Sequence, residues 1–274
     1  MPASFLDVID WSRPWLAPYR TIADTLVRAS DWRQTLNALA SEMDLRNHRG
    51  LPIHFVPQAH LPPGMAYEEF ISTTGGVPTR ENLHDFFNAL MWLSFPKIKV
   101  QLNALQAKEI EKAANLPKVG GRGNVRDAAT IFDENAALLV TRDSEWIEAL
   151  RARRWTDVFL MQREVFECNC EVKLFGHALM EKLVKPYKAI TAHGWPLAVN
   201  NNFFLLSPIE KRFWLDEAVA QQLSSGIDKS TFTPVPVLGI PHWWRGQNRE
   251  FYTDPVVFRP SICTAESSTR ARRV

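Results

Sequence analysis

The chain has 274 residues, of which 46% are hydrophobic and 23% charged, a balance that excludes a disordered chain, a collagen-like repeat and a disulfide-stapled miniprotein. At roughly 150 residues per domain, this length holds one large domain or two small ones. Lys and Arg total 32 against 30 Asp and Glu, leaving +2, which gives no bulk positive field for nucleic acid.

The opening MPASFLDVID carries no basic region followed by an apolar stretch and a small-residue cleavage site. The most apolar segment, residues 86–95, is interrupted by Asn88 and Ser94 and falls short of the roughly 18 residues a membrane span needs. Three cysteines, two of them at Cys168 and Cys170, make no zinc framework and suit a reducing compartment. The expected setting is the cytoplasm, with no membrane.

In chain order, residues 1–20 hold Trp11 and Trp15 as anchors, while Pro14 and Pro18 prevent a long helix. Residues 21–43 read as a helix, because Ile22, Leu26, Leu36 and Leu39 recur near helical spacing. Four prolines between residues 46 and 63 predict a loop with a short edge strand at 53–56. Thr79 can cap a helix that runs to about Phe95, and Pro96 permits a new first turn for a helix over 97–115. Gly120, Gly121 and Gly123 break the chain. The run from Arg126 to 141 reads either as helix or as turn plus strand, and its period does not choose. Further helices are expected from Asp143 or Ser144 to Arg153, over 172–185 up to Pro186, and from Pro208 to about Leu223.

From Thr231 onward prolines alternate with Trp243, Trp244, Phe251, Tyr252 and Phe258, which predicts an irregular wrap docked on a helical body. The expected fold is mainly α: one compact helical domain over residues 1–263, with its core at about 20–260, few short strands, the proline–aromatic wrap and a disordered tail at 264–274.

Chemistry can sit in three places. In Glu81-Asn82-Leu83-His84-Asp85-Phe86-Phe87-Asn88, the residues Glu81, His84, Asp85 and Asn88 share one helical arc that runs on toward Trp92 and Phe95. Such an arc is either a solvated face or the lining of a cleft. Asp133 and Glu134, with Asn135 beside them, pair carboxylates that suit a hard cation or acid–base work, or simply end a helix. His177 and Glu181 stand four apart on a helix, and His193 follows in a short loop with Lys188 and Thr191 before Gly194.

Other signatures fail. Gly121, Gly123 and Arg126 do not complete a dinucleotide fingerprint, and neither a phosphate-binding P-loop nor a nucleophile elbow occurs. The glycines with Arg122 and Arg126 leave a weak anion-site reading at a helix start. His54 and His60 are too loosely spaced for a metal hook. The His84-Asp85 pair invites comparison with phosphohydrolases that bind metal through such a pair, with another His and Asp still to be found.

The segments NLHDFFNALMWLSFPKIKVQLNALQAKEI, RDAATIFDENAALL, LFGHALMEKLVKPYKAITAH and VLGIPHWW, in this order, resemble the proteobacterial domain-of-unknown-function family 3025. The resemblance spans about 52–260. It implies a bacterial, soluble, single-domain protein and carries no activity, cofactor or partner with it.

Two functions remain. In one, His84, Asp85, Asn88, Asp133, Glu134, His177 and His193 gather as the site of a small-molecule hydrolase, working by acid–base chemistry or with a divalent metal. In the other, the same groups form a structural network in a binding or scaffold protein, whose 10 tryptophans and His242-Trp243-Trp244-Arg245 patch offer interface anchors. Metal, substrate and partner are not named by the sequence.

Overall fold

The computed structural model describes residues 4–114 and 123–259. Gly120, Gly121, Arg122 and the expected tail at 264–274 lie outside them. The elements, in order, are α1 (Arg20–Val27), α2 (Trp32–Glu42), β1 (His54–Pro57), α3 (Tyr67–Thr74), β2 (Gly76–Thr79), α4 (Leu83–Ser94) and α5 (Pro96–Ala114). There follow α6 (Asn124–Asn135), β3 (Ala136–Thr141), α7 (Ser144–Arg151), α8 (Arg163–Asn169), β4 (Cys170–Leu174), α9 (His177–Lys182) and β5 (Thr191–Ala198). The chain finishes with α10 (Asn201–Leu205), α11 (Pro208–Ser224), β6 (Thr233–Pro236) and α12 (Arg249–Thr253). The protein is mainly α with few short strands, as the pattern predicts, and no helix among the described residues is long and apolar enough to cross a membrane.

Local chemistry sets the boundaries. The expected helix at 21–43 is two, because Asp31 leaves the helical region (φ −130°) and its carboxylate takes the Gln34 N–H as the cap of α2. Thr79 does not cap α4; it lies in β2, and the Asn82 side chain accepts the Asp85 N–H instead. Residues 126–141 are both alternatives in succession, with α6 running straight into β3. The expected helix at 172–185 is replaced by β4, whose residues 170–174 pair with β3, and α9 starts only after Gly176. α11 opens with a capping box between Ser207 and Glu210 around Pro208.

The strands form a parallel β1–β2 pair and a four-stranded sheet in the order β4-β3-β5-β6. β3, Ala-Ala-Leu-Leu-Val-Thr, is buried throughout; it runs antiparallel to β4 and parallel to β5. β6 belongs to the proline-rich region, so that part of the expected irregular wrap is a sheet edge. The rest docks aromatic side chains Phe251, Tyr252 and Phe258 against Trp155, Phe159 and Phe166, and the Trp155 indole donates to the Arg259 carbonyl at 3.0 Å.

The main core gathers α4 with α1, α2, α5, α6, α9 and the sheet. Phe86, Phe87, Leu90 and Leu93 are fully buried, each worth about 1.5–3 kcal/mol relative to exposure. This burial fixes the rotation of α4, and with it the direction of the polar residues at its start.

Candidate functional site

α6 ends in Asp133, Glu134 and Asn135 with no loop before β3, so these three project from a fixed last turn. Gly176 lies against that turn: a Cβ there would sit 2.5 Å from the Asn135 nitrogen, the Asn135 Cα and the Glu134 carbonyl oxygen. The close approach also lets the Gly176 N–H donate to the Ala136 carbonyl at 2.8 Å. His177, the next residue, is thereby delivered to the end of α6. His84, on the first turn of α4, arrives from the other side because α4 packs on α9.

One ligand atom each from His84, Glu134 and His177 lies within 4.8 Å of the others. The two Nε2 atoms face each other at 3.1 Å, with the rings at 80°. Glu134 Oε2 is 3.6 Å from His177 Nε2. Behind each ring stands a carboxylate: His84 Nδ1 donates to Glu181 Oε2 at 3.0 Å, and Asp133 Oδ2 is 3.9 Å from His177 Nδ1. At that distance Nδ1 of His177 is a buried nitrogen without a hydrogen bond. Burial pushes His177 down to about 4, Lys99 and His84 adding to the effect and Asp133 opposing it, so the ring is neutral at pH 7. Burial, then the adjacent Asp133 charge, push the Glu134 carboxyl up.

Beneath this cluster lies a second, closed one. Lys99 of α5 is only 4% exposed and donates to Asp133 Oδ1 at 2.5 Å and Asn88 Oδ1 at 2.8 Å. Asn88 Nδ2 donates to the Tyr67 hydroxyl at 2.9 Å, and the Lys99 ammonium lies 5.4 Å from the centre of the Trp92 ring. Burial alone would raise Asp133, but the Lys99 charge and hydrogen bond, with the neighbouring His177 ring contributing, outweigh it and hold the carboxyl below its ordinary range. Farther along α5, Asn103 Nδ2 donates to Glu68 Oε2 at 2.7 Å; burial and the Asp133 charge raise that glutamate.

Of the seven sequence candidates, the structure thus brings His84, Glu134 and His177 into one cluster, with Asp133 behind them and Asn88 in the closed network. Asp85 turns away. Its carboxylate takes the Arg80 backbone N–H at 2.7 Å and two guanidinium nitrogens at 2.9 and 3.0 Å, bracing the entry to α4. The His84-Asp85 dipeptide is therefore not a pair of ligands to one ion. His193 is in strand β5 rather than in a loop; its Nδ1 accepts from Asn135 Nδ2 at 3.0 Å and its ring meets Phe232. Glu81 is exposed, and His54 is exposed beside the Pro52 carbonyl.

In the sequence Glu181 stands out only as a neighbour of His177, and Lys99, Tyr67 and Glu68 do not stand out at all. The signal for α5 was present. Lys99, Asn103 and Gln106 recur at helical spacing and are all buried, but the same stripe is written by any solvated helix face.

A family model described as "Protein of unknown function (DUF3025)" matches residues 53–261, more than half of the chain. No curated protein and no solved structure matches it.

Proposed function

The chain belongs to that family, and we propose that it is a small-molecule hydrolase whose His84, Glu134 and His177 hold one divalent metal ion. The observation that carries the reading is the pair of facing Nε2 atoms. His84 turns its Nδ1 onto the Glu181 carboxylate, the arrangement that leaves a lone pair on Nε2 and orients histidine ligands in metal sites, and the Asp133 carboxylate stands 3.9 Å behind His177 Nδ1. Two lone pairs 3.1 Å apart repel unless a cation lies beside both. Their separation is close to the ~3.3 Å between two ligands on a tetrahedral ion with bonds of about 2.0 Å.

The donor set of two imidazoles and a carboxylate suits zinc and related ions and leaves a fourth position for water or substrate. A metal there would bring the pKa of bound water to about 7 and polarise a carbonyl or phosphoryl oxygen. His84, Glu134 and Glu181 are 32%, 40% and 42% exposed, so this side is open to a small substrate while His177 is sealed. We place the activity in the cytoplasm, where the free thiols of Cys168 and Cys170 persist.

The test is calorimetric titration of chelator-stripped protein with Zn²⁺ and with Mn²⁺, paired with elemental analysis and a screen of esters and phosphate esters. One equivalent of metal is expected. Uptake should vanish in His84→Ala, and Glu181→Gln should weaken it by about 10–100-fold. No uptake by the wild-type chain sinks the proposal.

A second reading has its own support. A protonated His84 could donate to both Glu181 and His177 Nε2, extending the Lys99 network into a purely structural polar core. It predicts no metal uptake and a Tm loss of several degrees in His84→Ala.

A further inference from the structure

At the opposite end of α4 from His84 the molecule has a cavity of about 620 Å³, a size within the ~300–1,000 Å³ of small-molecule sites. Ile22, Phe95 and Leu215 give it apolar walls, and Ile209, 61% exposed, stands at its edge. Phe213, one turn on along α11, is also exposed, at 58%. The remaining lining is charged and unbalanced. Lys173 and Lys211 share one carboxylate, Glu171, at 3.0 and 2.5 Å. Arg212 is half-buried, and its guanidinium has no hydrogen bond or ion pair among the described residues; it lies 5.5 Å from the centre of its neighbour's ring, Phe213.

In the lining three cations meet one carboxylate, with Asp216 one turn beyond Arg212, and this imbalance around an apolar cavity calls for an anion that brings apolar surface with it. Burial pushes the Arg212 guanidinium below its ordinary value, with Asp216 one turn on offsetting part of this, so a desolvated positive group is held with only a partial counter-charge. Arginine is the side chain best shaped to take a carboxylate through two parallel hydrogen bonds.

We propose that this cavity binds an anionic amphiphile with a single acyl chain, its carboxylate on Arg212 and its chain against Ile22, Phe95 and Leu215. The site is separate from the histidine cluster and does not depend on a metal there.

Dansyl-undecanoate is the probe, titrated by fluorescence into the full chain and then displaced with decanoate or with decanol. Saturable binding, displaced by decanoate and not by equal decanol, is expected. Arg212→Gln should weaken it about tenfold, the worth of one charge-assisted hydrogen bond. Thr21→Trp, at an exposed position on the rim, should block it with little change in Tm. Equal competition by decanol, or unchanged affinity in both variants, would overturn the proposal. So would co-sedimentation with vesicles of phosphatidylcholine and phosphatidic acid without binding of the free acid, which would mark a membrane surface instead. The titration is repeated on chelator-stripped His84→Ala protein. Unchanged dansyl-undecanoate affinity there keeps this outcome distinct from that of the hydrolase reading, and lost affinity overturns the claim of a separate site.

Discussion

Asp133 and Glu134 are neighbours at the end of one helix and face two different environments. Asp133 is sealed against the Lys99 ammonium and its carboxyl is held down; Glu134 is 40% exposed and its carboxyl is pushed up. The closed side has a cation for its anion, and its hydrogen bonds to Lys99, Asn88 and Tyr67 join three further helices. The open side has two imidazoles facing each other, flanked by the half-exposed carboxylates of Glu134 and Glu181 and by no protein cation as close as Lys99 is to Asp133. Burial without a partner selects against charge, and burial with a partner locks charge in. The first arrangement suits a site that awaits a ligand, the second one that holds a fold.

Removing the cation of the closed side is the strongest way to test that division. Lys99→Met leaves Asp133 buried and uncompensated, a loss of about 3–5 kcal/mol, to be read from urea denaturation. Lys99→Met with Asp133→Leu should recover much of it, since a matched apolar pair has no stranded charge. A single-variant loss below about 1 kcal/mol would deny the closed side its structural role.

Acid probes the seam between the two sides. His177 is depressed to about 4 from an ordinary value of 6.5. As pH falls from 6.5 toward 4, the unfolded chain takes up a proton that the folded chain refuses, so stability present above pH 6.5 is lost across that window. At about 1.4 kcal/mol per pKa unit the loss is about 3 kcal/mol. Chelator-treated wild type and His177→Gln, compared by denaturation across this range, should differ in slope there. Parallel curves would mean that burial, with Lys99 and His84 beside it, does not keep the ring neutral.

How much of this was readable beforehand depended on what each residue's partner was. The helices over 83–94, 96–114 and 208–224 were legible because Pro96 and Pro208 mark two of their starts and apolar spacing runs through them, while the first starts at the Asn82 cap and not at Thr79. β4 was not, since Cys170, Val172 and Leu174 alternate over only five residues and the segment merges with helix-favouring ones. In the site, histidine and paired carboxylates stood out as unusual residue types inside apolar stretches. Lys99 did not, because a lysine in a helix rich in lysine and glutamine is ordinary until Asp133, thirty-four residues on, is known to meet it. His193 drew attention for its chemistry alone, and the sheet gave it Asn135 as a partner.

Gly176 tests the geometry that joins the sides without touching a polar group. Gly176→Ala puts a methyl group 2.5 Å from backbone atoms of Glu134 and Asn135, and backbone cannot rotate away. Overpacking of this kind costs about 1–3 kcal/mol, measurable by thermal unfolding. Because the shift must separate α9 from α6, metal affinity should fall as well, although Glu134, His84 and His177 are all intact. Unchanged affinity would mean that the approach of the two helices is not what sets the cluster.

The smallest stability effect belongs to the open side. His84 is 32% exposed and its partner Glu181 42% exposed, so solvent weakens the hydrogen bond between them. His84→Ala should therefore change stability by about 1 kcal/mol or less, whereas Lys99→Met, a few ångströms deeper, removes several times that. The ratio separates the two roles better than either value alone. A side chain kept for packing loses stability in proportion to its burial, while one kept for a ligand loses little until the ligand is added. The comparison of wild type and His84→Ala is therefore run twice, without metal and with excess Zn²⁺. Equal Tm values without metal and a gap that opens on adding zinc follow from linkage if only the wild type binds. A gap already present without metal, and unchanged by zinc, would assign His84 to the closed network and join the two sides into one.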